Sequence, residues 1–271
     1  MNTITTLYFK ILLFLFIFLS SFSNAQDSTF RKLDNEAFSS GEFLKWRFYY
    51  DSWMVGITAG YGESTIRDTV YNGREVYHID AKGYTVGMFN WFYKVRDEFH
   101  SYMDKEFLAP HFFKRITREG SYRKYDDYNF NQKENYVTTR SDSIATPEYI
   151  QDFISAVYFS RIIDSDTLKP GDVIPIEFFI DDSVYNSAMI YEGKEIIEIK
   201  LGKFRCLRLK PGMATGEVFA NKYPATLWVT DDKNHVPILV NAKIVVGSLK
   251  AELKEYAGLK NEFTSLIELK E

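Results

Sequence analysis

The chain predicts a mainly β fold: one strongly curved antiparallel sheet, an open barrel or β-roll, with one long helix packed on or into it. Three observations carry that expectation. Apolar and polar residues alternate with period two from Gly41 onward, the mark of half-buried strands. Gly56, Gly60 and Gly62 interrupt a strand-like run, where bulges and coiling are expected. A single stretch, about residues 147–164, switches to helical spacing.

Taken in order, Leu44, Trp46, Phe48 and Tyr50 alternate with Lys45, Arg47 and Tyr49 in a first strand. Asn72-Gly73 lies between two apolar runs and predicts a two-residue hairpin. The dense aromatic run of residues 89–93 leads into a strand at 94–103, another follows Pro110, and aromatic alternation resumes over residues 122–131. Thr146-Pro147 offers a hydroxyl cap and a proline suited to the first helical position. Ile150, Phe153, Ile154, Val157, Tyr158 and Ile162 then recur on one helical face. Strands are expected again at Val173–Ile180, 188–191, 196–201, 204–209, 226–230, 236–244 and 246–256, with residues 211–224 as a mobile connection. Pro237 favours a strand start or an edge. The single β-rich domain should therefore run over 41–256, between a flexible leader at 26–40 and a tail at 257–271.

The amino-terminal residues carry the clearest targeting signal. Lys10 precedes the apolar run ILLFLFIFL at residues 11–19, and Ser23-Asn24-Ala25 supplies small residues before a cut. That order describes a signal peptide over residues 1–25, cleaved after about Ala25. The run is too short for a spanning helix of roughly 20 apolar residues. An exported protein is expected, periplasmic or peripheral to the outer membrane, with no transmembrane segment in the mature chain.

Composition narrows the function classes. With 33 Lys+Arg against 37 Asp+Glu and a net charge of −4, no clustered basic surface is expected, which disfavours a nucleic-acid partner. The sole cysteine, Cys206, rules out an intramolecular disulfide and reads as a small buried hydrophobe. His78, His100, His111 and His235 stand far apart, with no His-x-x-x-His or Cys-x-x-Cys spacing. Neither a metal site nor a cofactor is expected. The adjacent acids Asp126-Asp127, Asp181-Asp182 and Asp231-Asp232 read as solvated turn formers. There is no Gly-x-Ser-x-Gly elbow, and no phosphate loop opens a helix.

Arg161 falls among the apolar residues of the expected helix face, where a guanidinium needs an anionic partner. Asp97 is the candidate, since it interrupts the apolar alternation Tyr93-Val95-Asp97-Phe99; the pair would tie helix to sheet. Two other readings stay open: Arg161 facing a cavity and an anionic head group, or snorkelling from the last helical turn.

Several fragments together resemble an exported bacterial family labelled domain of unknown function 3108. They are Gly41-Glu42 with the aromatic strand after it, Tyr93-Lys94-Val95-Arg96-Asp97, residues 151–158 (QDFISAVY) with Arg161, Lys203-Phe204-Arg205-Cys206, and Trp228-Val229-Thr230-Asp231-Asp232 closing on His235-Val236-Pro237. The resemblance spans about Gly41 to Tyr256 and implies export and a β-rich body, without an activity. Such domains are similar in shape to open-barrel periplasmic lipoprotein carriers, an analogy of fold.

Aromatic residues make up 17% of the chain, enough to fill a β core and also to line a pocket. The leading expectation is a non-enzymatic envelope protein that holds lipid or a lipoprotein acyl chain in a barrel-like cavity. Trp46, Phe48, Phe89, Trp91, Phe92, Phe153 and Arg161 would line it. One alternative is a structural or assembly factor for another envelope protein; another is a carboxylate-dependent enzyme on envelope glycans.

Overall fold

The computed structural model describes residues 30–51, 57–212, 225–243 and 248–270. Among them sixteen strands form one sheet, built as two meanders. The first comprises β1 (Phe43–Asp51), β2 (Thr58–Tyr71), β3 (Arg74–Thr85), β4 (Arg96–Asp104), β5 (Pro110–Glu119), β6 (Tyr122–Asn131), β7 (Tyr136–Thr138) and β8 (Ser143–Ala145). The second comprises β9 (Gln151–Asp152), β10 (Val173–Ile180), β11 (Ser183–Ile199), β12 (Gly202–Pro211), β13 (Ala225–Thr230), β14 (Pro237–Lys243) and β15 (Ser248–Ala257). β16 (Leu266–Leu269) adds to β12. The two meanders join where β1 pairs antiparallel with β15, and β8 and β9 end the ribbon without pairing to each other. The sheet is open, as the sequence anticipates.

Local chemistry explains these strands. In β2 the buried positions Gly60, Gly62, Ser64 and Ile66 alternate with more exposed neighbours, so one face is committed to the core. Gly62 lets the Phe48 ring lie flat on the strand, because a Cβ there would come within 2.8 Å of Phe48 Cζ. Asn72 and Gly73 both have positive φ (50° and 82°), the type I′ geometry expected of that dipeptide.

Side chains, not sheet hydrogen bonds, bring the two ends of the ribbon together. Ser101 Oγ on β4 donates to Asp152 Oδ2 at 2.5 Å, and Gln151 Nε2 donates to the Leu108 carbonyl at 3.0 Å. The Phe179 ring of β10 meets Tyr128 of β6 edge-on at 5.0 Å. Inside the curve, Phe38, Ile66, Ile79, Met103, Phe113 and Tyr128 pack with Ile154, Tyr158 and Phe179 into the largest apolar cluster. A second cluster gathers Leu44, Phe204, Cys206, Val236, Ile238 and Leu253. Cys206 is fully buried there, and burial pushes its thiol up to about 12.

The expected long helix is the main correction. The described residues contain two short helices, α1 (Gly87–Phe92) and α2 (Phe153–Phe159), the latter extended by a 3-10 turn at Ser160–Ile162. Thr146-Pro147 does not start α2. Tyr149 has φ +55°, and Gln151–Asp152 pair in parallel with Phe178 and Phe179, so their backbone is already committed to the sheet. Asp152 then caps α2, its Oδ1 accepting from the N–H groups of Ile154 (2.7 Å) and Ser155 (2.8 Å), while Ser155 Oγ accepts from Asp152 N–H.

The flanks differ from expectation too. Within the expected flexible leader, Asn35 accepts hydrogen bonds from the N–H groups of Ala37 and Phe38, and both of those side chains are buried. Within the expected tail, β16 pairs with β12 and Phe263 packs on Phe204 and Tyr256. The proposed signal peptide lies outside the described residues.

Candidate functional site

Strand alternation sorts the connections into two ends. The links β3–β4, β5–β6 and β10–β11 share one end with α1; the link β13–β14 and the start of β1 share the other. That division settles the fate of Arg161. It falls in the 3-10 turn beyond α2, at the end away from α1, and is 2% exposed. Its guanidinium engages Glu42 in a two-pronged pair, Nη1–Oε1 2.6 Å and Nη2–Oε2 2.8 Å. Nε donates to the Asn234 carbonyl at 3.0 Å and Nη2 to that of Ala37 at 3.3 Å. The Phe38 and Tyr158 rings flank it at 5.4 and 5.1 Å.

Asp97 is therefore not its partner. Asp97 opens β4 at the α1 end, opposite Gly83, and accepts from the Arg118 N–H at 3.0 Å. Glu119 also hydrogen-bonds it; burial and then the Asp97 charge raise the Glu119 carboxyl. Beside Arg161 lies a cleft of about 440 Å³ whose lining includes Asp34, Glu36, Asp164, Asp166, Asp231 and Asp232, an acidic surface unsuited to an acyl chain.

The expected aromatic residues divide among three places. Trp46 is half-buried, its Nε1 donating to the Pro237 carbonyl at 2.8 Å, and Phe48 covers Gly62. Phe89, Trp91 and Phe92 belong to α1. Phe153 opens α2, 42% exposed, with Val157 one turn later at 41%. Of the seven, Arg161 lines the acidic cleft and none lines the depression on the outer face of β3 and β4.

α1 has an unusual balance. None of its residues is buried, and Trp91 and Phe92 are 80% and 68% exposed. Met88 and the following Tyr93 are exposed as well. Polar bonds hold the helix: Arg96 Nη2 donates to Asn90 Oδ1 at 2.7 Å and Nη1 to the Thr85 carbonyl at 3.1 Å, while Thr85 Oγ1 donates to the Tyr93 carbonyl at 3.2 Å. No ionisable side chain occurs in its first or last turn.

One cluster escaped the sequence reading. His78 and Asp80, two residues apart on β3, share the outer face with His100, which lies directly opposite Asp80 on β4. His100 Nδ1 is 2.5 Å and His78 Nε2 3.1 Å from Asp80 Oδ1. Distance in sequence hid the second histidine, but His78-x-Asp80 on a period-two strand was a readable signal.

Comparison with known proteins bears on family and fold. The family model for "Protein of unknown function (DUF3108)" matches residues 45–254. No curated protein matches the chain. A beta-barrel-like protein of domain of unknown function DUF1849 from Brucella abortus is similar in structure, with a TM-score of 0.52 and 8% identity over 80% of this chain and 96% of that one. At that identity the likeness is one of fold. Among the described residues, no helix is long and apolar enough to cross a membrane.

Proposed function

Since the chain belongs to the DUF3108 family, whose function is unknown, we propose from the geometry that it is an exported, non-enzymatic envelope protein that binds the acyl chain of a lipid or lipoprotein at its α1 end. One observation carries the reading: α1 exposes Met88, Trp91 and Phe92, and hydrogen bonds from Arg96 and Thr85 help fix it in place. Large apolar side chains held side by side in water call for a partner.

The occupant follows from charge. α1 is uncharged, and the chain as a whole is acidic, so hydrocarbon fits this face better than an anionic or cationic surface does. Burying Trp91 and Phe92 against acyl chains would supply roughly 1.5–3 kcal/mol each. Tryptophan and tyrosine also suit the boundary between hydrocarbon and water. The contact then lies at one end of the sheet, whereas the apolar cluster around α2 packs inside the curve.

The test is flotation of the purified protein with phosphatidylcholine vesicles, read together with tryptophan emission. Wild type should float and shift to the blue; Trp91→Ser with Phe92→Ser should do neither while melting unchanged. Equal flotation of the variant would overturn the reading. Failure of wild type to float, with a protein partner captured through the same face, would favour an assembly factor.

A further inference from the structure

We propose that His78, Asp80 and His100 form a binding site for a divalent transition-metal ion of the zinc class on the outer face of β3 and β4. The three donors, one ligand atom each, all lie within 4.8 Å of one another. A tetrahedral ion with bonds of about 2.0–2.2 Å spaces its ligands about 3.3 Å apart. His78 Nε2 and Asp80 Oδ1 already sit at 3.1 Å, and His100 Nδ1, 2.5 Å from that oxygen and within 4.8 Å of His78 Nε2, reaches this spacing by a shift of about 1–1.5 Å.

Two features separate this cluster from an ordinary cross-strand contact. His78 Nε2 is shielded from solvent and, despite its nearness to Asp80, makes no hydrogen bond. Its ring is held face-on against Tyr102, centroids 4.3 Å apart and planes 15° from parallel, so it need not be ordered on binding. Two imidazoles and one carboxylate suit zinc, nickel or copper better than calcium, which takes six to eight oxygens.

Access fits too. Asp80 and His100 line a shallow depression of about 370 Å³ together with Glu63, Glu98, Arg67 and Lys82, open to the water that would complete the coordination. Arg67 now neutralises Asp80 through Oδ2, leaving Oδ1 toward the histidines. It is 61% exposed and can swing away, so it acts as a competitor for the site and not as a ligand.

The experiment is isothermal titration of the tag-free chain with Zn²⁺, with the circular dichroism of each variant recorded as a control. Wild type should bind one equivalent. His78→Gln, His100→Gln and Asp80→Asn should each lose the heat, His111→Gln should keep it, and Arg67→Gln should bind more tightly. All five side chains lie on the outer face or its rim; if one variant misfolds, the remaining ligand variants decide. No binding by wild type, or unchanged binding by folded His100→Gln, would overturn the site.

Discussion

At Asp152 the chain buries a carboxylate completely and surrounds it with donors: Ser101 Oγ, and the N–H groups of Ile154 and Ser155. Burial outweighs these bonds and raises its carboxyl to about 6. In the unfolded chain the group titrates near 3.8. Between those values the folded state keeps a proton that the unfolded state has released, so the contribution of Asp152 to stability falls as pH rises from about 4 to about 6 and is flat above. Asp152→Asn keeps the oxygen that caps α2 and removes the titration; its urea midpoint should gain on that of wild type as pH rises through that window and equal or exceed it at pH 8. Asp152→Ala should lose about 1–2 kcal/mol at any pH, because the cap itself goes. Arg161 gives a second test at this scale. Arg161→Met or Glu42→Leu alone strands a buried charge and should cost about 3–5 kcal/mol, whereas the double variant should be more stable than either. Its remaining deficit, of about 1–3 kcal/mol, would come from the Asn234 and Ala37 carbonyls left without a donor. The need of Arg161 for an acid was legible in its sequence position. The identity of that acid was not, because Glu42 and Asp97 lie at opposite ends of the sheet and only the fold decides between them.

Among the elements, local signals read correctly where the chain decides locally. The Asn72-Gly73 hairpin needs only positive φ at two successive residues, and the dipeptide supplies that preference by itself. Asp181-Asp182 forms a turn of the same kind, with φ +52° at both residues between β10 and β11. The first of these acids also meets Arg115 and Lys124. The second has no such reason to be an aspartate, so Asp182→Gly should raise stability by about 0.5–1 kcal/mol, measured by thermal melting, by relieving the left-handed backbone. A neutral or negative result would mean that the Asp182 side chain supports the turn. The start of α2 shows the opposite situation. Thr146-Pro147 is a sound local start signal, yet parallel pairing of Gln151–Asp152 with β10, over twenty residues later, takes the backbone first. Local spacing records no such competition. For the same reason the exposed face of α1 went unread: an aromatic run looks identical whether it fills a core or faces outward.

For the molecule as a whole, an antiparallel sheet was legible because each strand carries its own period-two pattern. Strand order was not, since nothing within β1 names β15 as its neighbour. Order in turn generates the outer histidine cluster, which exists only through the register of β3 on β4. It also sets how the ribbon closes. With β8 and β9 not paired to each other, the β9–β10 end of the second meander is held against the first by side chains, chiefly Phe179 on Tyr128 and Phe130, Asp181 on Arg115, and Asp152 on Ser101. Phe179 is fully buried, and Phe179→Ala would leave a cavity at that seam costing about 3–5 kcal/mol. The loss should not be felt evenly. Native-state hydrogen exchange should show the amides of β9 and β10 opening at much lower free energy than in wild type, while β2 and β3, paired on both sides in the middle of the ribbon, keep their protection. If protection fell equally in both regions, closure would be a property of the whole sheet and not of one packed seam.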